Sequence, residues 1–195
     1  MRKASVTRDT AETQIALSLN LDGAGVFTGS SGVGFFDHML CLLAKHGKLD
    51  LELTCQGDLE VDAHHTMEDV GLALGEALRR AAGDRRGIRR YGNCLLPMDE
   101  TLARVALDLS GRPFLVYDAP GVVGMLGAMD AQLTEEFFRA LANSGGITLH
   151  AAVLYGKNVH HQVEALFKGL GRALREALED DPRESGIPSS KGVLA

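Results

Sequence analysis

An internal duplication is the feature that most constrains the fold of this chain. The segment 62–69 reads Asp-Ala-His-His-Thr-Met-Glu-Asp, and the segment 158–164 repeats its spacing as Asn-Val-His-His-Gln-Val-Glu. The same apolar helical pattern follows each copy, with Gly-Glu-Ala-Leu-Arg-Arg-Ala at 75–81 and Gly-Arg-Ala-Leu-Arg-Glu-Ala at 171–177. A chain that carries one unit twice is expected to build two similar halves.

Hydrophobic periodicity predicts the same four elements in each half. In the first half they are a strand at 12–23, a helix at 35–47, a strand at 49–55 and a long helix from His64. In the second half they are a strand at 100–111, a helix at 133–145, a strand at 147–153 and a long helix from the second motif. The Gly- and Ala-rich segment 118–130 is expected to be a loop. The predicted fold class is α/β, in the α+β sense, with 1–92 and 93–195 as two repeats fused into one compact domain.

Composition narrows the class of protein. The chain has 195 residues, 45% hydrophobic and 24% charged, which is typical of a soluble globular protein. Its net charge of -6 argues against nucleic-acid binding through a basic surface. We expect a cytoplasmic protein, because no export signal or membrane-spanning run is recognisable. The three cysteines, Cys41, Cys55 and Cys94, have no metal-ligand spacing and are expected to be reduced structural thiols.

The paired histidines indicate metal binding. A single His-His-x-x-Glu is explained equally well by a polar helix start, but two copies on equivalent helices are harder to explain that way. His38 and Glu136 occupy matching positions on the preceding helices of the two halves. The candidate ligands, which divide by the internal symmetry into two groups of four, are His38, His64, His65, Glu68, Glu136, His160, His161 and Glu164. Imidazole and carboxylate without thiolate suit a first-row divalent ion, although they do not choose among manganese, iron, cobalt and zinc.

Basic and hydroxyl side chains recur near the ends of the repeats. Guanidinium groups, hydroxyls and free backbone amides are what a phosphate group requires. The candidates are Arg90, Arg112, Lys168, Ser189, Ser190 and Lys191. We therefore expect a phosphate pocket beside the metal ions.

Several segments, taken together and in order, resemble the imidazoleglycerol-phosphate dehydratase family of histidine biosynthesis. They are Phe-Asp-His-Met-Leu at 36–40, the motif at 62–69, Ser-Gly-Arg-Pro at 110–113, the segment 157–168, and Pro-Ser-Ser-Lys-Gly at 188–192. The resemblance implies helices packed between two four-stranded sheets. It also implies two Mn2+ ions per active site, conversion of imidazole glycerol phosphate to imidazole acetol phosphate, and a homo-oligomer of 24 subunits with active sites where subunits meet.

Carried over position by position, the resemblance makes seven of the eight candidate ligands metal ligands and the basic and hydroxyl candidates substrate contacts. It adds Glu12 as a substrate-contacting acid or base. Glu136 departs from the pattern, because the family usually has histidine there. Leu42 also departs, since many members have a polar residue, and it is assigned no contact.

The reaction implied by the resemblance removes a proton that lies next to no carbonyl group. We hypothesise that two ions bind the imidazole ring and stabilise an imidazolate, which expels the hydroxyl from the adjacent carbon. The candidates for proton transfer are Glu12, Glu164 and His46. Two other function classes remain open, a dinuclear hydrolase of phosphate esters and a metal-storage or structural assembly.

Overall fold

The structure is a computed structural model that describes residues 2–194. The first half consists of β1 (Lys3–Asp9), β2 (Thr13–Asn20), β3 (Phe27–Ser30), α1 (Gly34–Gly47), β4 (Asp50–Gly57) and α2 (His64–Ala82). The second half consists of β5 (Tyr91–Met98), β6 (Thr101–Asp108), β7 (Phe114–Asp118), β8 (Met125–Leu126), β9 (Met129–Asp130), α3 (Leu133–Gly145), β10 (Thr148–Tyr155) and α4 (Val159–Leu178).

Each half contains one four-stranded sheet with the same topology. The strand orders are β1-β2-β4-β3 and β5-β6-β10-β7. In the first sheet β2 runs antiparallel to β1 and β4, whereas β3 runs parallel to β4 and connects to it through α1. The second sheet repeats this arrangement, with α3 connecting the parallel strands β7 and β10. The four elements predicted in each half are confirmed, and the edge strands β1, β3, β5 and β7 complete the sheets.

The alternating strands place one face of each sheet in the core. In β2 the side chains of Ile15, Leu17 and Leu19 are buried, and Leu17 lies opposite Leu53 of β4. In β6, Val105 is buried in the same way. Because successive side chains of a strand point to opposite faces, this pattern leaves the other face of each sheet outside the core.

The helices lie between the two sheets, as the resemblance implied. Helix α2 packs on β1, β2 and β4, and α4 packs on β5, β6 and β10. In the middle of the molecule α1 contacts α4, and α2 contacts α3, so each contact joins the two halves. A cluster of aromatic rings fills this layer, with Phe137 stacked on Phe167 at 5.2 Å and Phe36 edge-on to Phe137 at 5.2 Å. These contacts fix the relative positions of α1, α3 and α4.

Polar contacts also join the halves. The guanidinium of Arg2 donates to the Leu178 carbonyl, and the buried guanidinium of Arg85 donates to the carbonyls of Leu109 and Gly145. These contacts support a fused arrangement, while the boundary between 92 and 93 stays a prediction.

Three other expectations concern smaller features. The segment 118–130, expected to be a loop, contains the short hairpin β8-β9. All three cysteines are free. Within residues 2–194, no helix combines the length and the apolar character needed to cross a membrane.

Candidate metal and active site

The first turns of α1 and α4 bring together His38, His160 and Glu164. Their ligand atoms all lie within 4.8 Å of one another, and no other group of three such side chains comes this close within residues 2–194. Glu164 Oε2 lies 2.9 Å from His160 Nε2 and 3.7 Å from His38 Nε2. We call these three residues the first cluster. Two imidazoles and a carboxylate form a donor set that fits a first-row divalent cation.

The charge of Glu164 is stabilised although its side chain is only 9% exposed. Burial raises the pKa of the Glu164 carboxyl, but the Lys168 ammonium and His160 outweigh this effect and hold the pKa below its usual value. Lys168 Nζ lies 2.5 Å from Glu164 Oε1, one helical turn away as the sequence predicted. The first cluster therefore has an ionised carboxylate, which is the form that binds a cation.

A second group of ligands lies between α2 and α3. His64 Nε2 is 3.8 Å from Glu68 Oε2, four residues along α2, and His64 and Glu136 line the same cavity of about 430 Å³. Asp62 lies just before α2, and its carboxylate accepts from the His64 backbone N–H at 2.7 Å. We call His64, Glu68 and Glu136 the second group. Glu136 shares this cavity with His64, and its role as a ligand stays a prediction.

The second histidine of each motif points away from the first. His65 Nδ1 lies 2.9 Å from Asp58 Oδ2, and His161 Nδ1 lies 2.8 Å from Glu100 Oε2. Hydrogen bonds to these carboxylates raise the pKa of both imidazoles. The pKa of Glu100 is lowered by hydrogen bonds from the backbone N–H of Asn158, from the His161 imidazole and from the backbone N–H of Lys157. Neither His65 nor His161 joins the first cluster within one chain, and their roles as ligands stay predictions.

The two remaining acid-base candidates occupy different surroundings. Glu12 lies in the turn between β1 and β2, with its side chain 52% exposed and Oε1 3.7 Å from His65 Nε2. His46 lies in the last turn of α1, where burial and the cations Lys168 and Arg172 lower its pKa. His46 is therefore a neutral imidazole at pH 7, surrounded by positive charge.

Arg90 lies far from the first cluster within the same chain. Its guanidinium holds Asp108 through two hydrogen bonds and donates to the Pro188 carbonyl at 2.8 Å, and its backbone N–H donates to Ala177 of α4. At a helical rise of about 1.5 Å per residue, Ala177 lies about 20 Å along α4 from Glu164.

The other phosphate candidates divide between the two ends of the helices. The segment 189–191 follows Pro188 and therefore begins beside Arg90. Arg112 is exposed, and the neighbouring Gly111 N–H donates to Gly146 at the end of α3, opposite the end that carries Glu136. Only Lys168 lies beside the first cluster. The phosphate pocket expected beside the ions is thus not assembled within a single chain.

Neither Asp58 nor Glu100 is among the candidate residues identified from the sequence. The structure shows both carboxylates bonded to histidines of the motifs. It also shows that Asp69, the last residue of the first motif, is buried and binds Arg8 and Thr13 of the β1-β2 hairpin. The repeat of Glu-Thr at 12 and 100 was the available signal for Glu100. No comparable signal marked Asp58.

Comparison with known proteins agrees with the fold. The family model described as imidazoleglycerol-phosphate dehydratase matches residues 31–174. The chain is 56% identical over 195 residues to the imidazoleglycerol-phosphate dehydratase of Dinoroseobacter shibae and 57% identical over 195 residues to that of Heliobacterium modesticaldum. Each alignment covers 100% of this chain and 100% of the relative.

Solved structures show the same similarity. The crystal structure of the dehydratase from Staphylococcus aureus matches with a TM-score of 0.82 and 38% identity, over 92% of this chain and 99% of that one. The enzyme from Pyrococcus furiosus matches with a TM-score of 0.81 and 36% identity, over 97% and 100%. This chain therefore belongs to the imidazoleglycerol-phosphate dehydratase family, the hydro-lyases that carry out a dehydration step of histidine biosynthesis.

Proposed function

We propose that the protein converts imidazole glycerol phosphate to imidazole acetol phosphate with two Mn2+ ions in each active site. The observation that carries this proposal is the first cluster, where two imidazoles and an ionised carboxylate converge with their ligand atoms within 4.8 Å. When bound, the two ions supply positive charge that stabilises the substrate ring as an imidazolate. Residues of the chain perform the binding, orientation and proton transfer.

The ligands are shared between two ions. His38, His160 and Glu164 would hold one ion, and His64, Glu68 and Glu136 would hold the other. His65 and His161 supply one further ligand each, because each already has its Nδ1 engaged and its Nε2 available. Glu136 places a carboxylate where His38 places an imidazole, so the second ion has one more negative charge among its ligands.

Glu12 is the group that we assign to proton transfer. Both oxygens of Glu164 are engaged, one by Lys168 and the other by His160, which suits a ligand better than a base. The Glu12 carboxylate is half exposed and, within residues 2–194, accepts no hydrogen bond. It is therefore free to take a proton from the substrate carbon and to pass a proton to the departing hydroxyl, which leaves as water before the enol becomes the ketone.

The position of the basic residues supports an active site shared between subunits. A short carbon chain joins the ring and the phosphate of the substrate, so one molecule cannot span the roughly 20 Å between the first cluster and the Arg90 end of α4. We propose that Arg90, Arg112 and Ser189, Ser190 and Lys191 bind the phosphate of a substrate held by the clusters of a neighbouring subunit. Lys168 binds it from the side of the cluster. This arrangement supports a homo-oligomer, for which we propose 24 subunits.

The direct experiment is to incubate Mn2+-loaded protein with imidazole glycerol phosphate and to detect the ketone product. We expect turnover that disappears in metal-stripped protein and returns with Mn2+. We also expect His38→Ala to lower turnover more than about 100-fold, because it removes a ligand. His150→Ala is the matched control, since His150 is exposed on β10 away from the clusters.

Other products would contradict the proposal in distinguishable ways. Release of inorganic phosphate without the ketone would indicate a dinuclear phosphoesterase. Binding of Mn2+ with no change in the substrate would indicate a metal-storage or structural role.

A further inference from the structure

The outer histidines of the two motifs are held by carboxylates from non-equivalent parts of the duplicated chain. Asp58, which holds His65, lies in the loop after β4, whereas Glu100, which holds His161, lies in the turn between β5 and β6. In the repeat, Glu100 corresponds to Glu12 and not to Asp58. The two halves therefore make the same hydrogen bond with different elements.

Glu12 occupies the position in the first half that corresponds to Glu100 in the second. Unlike Glu100, its carboxylate makes no hydrogen bond to a motif histidine. Its carboxylate lies 3.7 Å from His65 Nε2, which is beyond hydrogen-bond distance and on the other side of the ring from Asp58. The carboxylate of Glu100 is fully engaged, because besides His161 it accepts from the backbone N–H groups of Lys157 and Asn158. Glu100 thus fixes both the imidazole and the start of α4.

Among the described residues, His65 is the one hydrogen-bond partner of the Asp58 side chain. One carboxylate oxygen accepts from His65, and the other is buried without a hydrogen-bond partner among the described residues. The loop itself is fixed by a backbone hydrogen bond from Asp58 N–H to the Glu12 carbonyl at 3.1 Å. Asp58 is therefore placed by the backbone of Glu12 while its side chain faces the imidazole.

We propose that Asp58 and Glu100 are positioning residues that hold His65 and His161 with Nδ1–H donating and the Nε2 lone pair facing outward, and that Asp58 thereby leaves Glu12 free for proton transfer. A carboxylate bonded to the remote nitrogen fixes the tautomer and orientation of a metal-binding imidazole. This inference rests on the proposed function, since it requires His65 and His161 to bind metal.

The test measures Mn2+ affinity in Asp58 variants, using the electron paramagnetic resonance signal of free Mn2+. Loss of such a carboxylate weakens metal binding about 10- to 100-fold, so we expect Asp58→Ala to do this. Asp58→Asn keeps an oxygen that accepts from Nδ1–H and is expected to restore affinity to within a few-fold of the native protein. Glu60→Ala is the matched control for charge, because Glu60 is exposed in the same loop and makes no ion pair within residues 2–194.

Variants of Glu100, in the second half, and of Glu12 provide the complementary measurements. Glu100→Ala is expected to weaken Mn2+ binding like Asp58→Ala, and Glu100→Gln to restore it. Glu12→Gln is expected to bind Mn2+ with native affinity while turnover falls more than about 100-fold.

The outcomes separate this inference from the proposed function. If the native protein binds no Mn2+, the proposed function fails. If the native protein binds Mn2+ and Asp58→Ala binds it equally well, or no more weakly than Glu60→Ala does, the positioning role is wrong. A fall in Mn2+ affinity in Asp58→Asn as large as in Asp58→Ala also contradicts it, because the hydrogen bond would then not be what matters.

Discussion

Asp50 holds the loop between β2 and β3 with a single carboxylate oxygen. Asp50 Oδ1 accepts from the backbone N–H groups of Ala24 at 2.8 Å, Gly25 at 3.1 Å and Val26 at 3.2 Å. Burial opposes ionisation, but these N–H groups together with the amide of Asn20 lower the pKa of Asp50 below its usual value. The folded state therefore favours the ionised carboxyl more strongly than the unfolded state does.

This difference predicts a pH-dependent contribution to stability. Because the pKa is lower in the folded state, the contribution is complete above the unfolded-state pKa of about 3.9 and is lost as the pH falls through the folded-state value. We expect Asp50→Ala to unfold at lower urea concentration than the native protein at pH 7, and the gap to narrow below pH 4. A gap of equal size at pH 7 and pH 3 would show that the charge of Asp50 does not stabilise the loop.

At the scale of single residues, spacing along one helix was enough to predict which histidine and glutamate of a motif lie on the same face. His160 and Glu164 lie on one face of α4 and make contact as their separation of four residues requires. The bond between His65 and Asp58 was not predictable, because it depends on the path of the loop between β4 and α2. A contact set by loop geometry leaves no periodic signal in the sequence.

At the scale of elements, equivalent glycines let the long helices approach the shorter ones. A Cβ at Gly75 would lie 2.6 Å from the Leu141 carbonyl oxygen of α3, and a Cβ at Gly171 would lie 2.7 Å from the Leu43 carbonyl oxygen of α1. Both obstacles are backbone atoms, which cannot turn away as a side chain can. The glycine repeated in the two long helices thus reflects the close contact between the halves.

We expect Gly171→Ala to destabilise the protein by about 1–3 kcal/mol, because the added methyl group forces α4 and α1 apart. The measurement is the free energy of unfolding in urea. Gly34→Ala, at the start of α1, is the matched control, since a Cβ there meets no atom within 4 Å. Equal stability of Gly171→Ala and Gly34→Ala would mean that the helices adjust without cost.

The elements that the sequence predicted are those with a strong periodic pattern. Helix α3 was predicted with its observed bounds, because an apolar face and a terminal glycine mark it. The edge strands were not predicted. In β1 only Val6 is fully buried, and β3 is four residues long with a glycine at its centre, so neither carries a run of alternating large apolar residues. Their pairing is imposed by the neighbouring strand rather than by their own residues.

At the scale of the whole molecule, the first cluster and Arg90 lie at opposite ends of the long helix α4. Glu164 lies in the second turn of α4, and Arg90 is hydrogen-bonded to Ala177 near its end. In the proposed active site, each chain would contribute metal ligands at one end of α4 and phosphate contacts at the other. The sequence predicted the helix that carries Glu164 but not its distance from Arg90, because that distance depends on the direction in which the helix crosses the sheet.

A shared active site predicts complementation between two inactive variants. His160→Ala removes a ligand of the first cluster, and Arg112→Ala removes an exposed phosphate contact at the other end. When the two variants are assembled together in equal amounts, about a quarter of the sites receive an intact contribution from each side. We therefore expect turnover to rise to about a quarter of the native value, whereas each variant alone stays far below it.

A chain that carries both changes, assembled with either single variant, restores no activity, because one side of every site is then damaged. Mixed assemblies of the single variants that stay as inactive as their components would show that each subunit uses its own residues for both tasks.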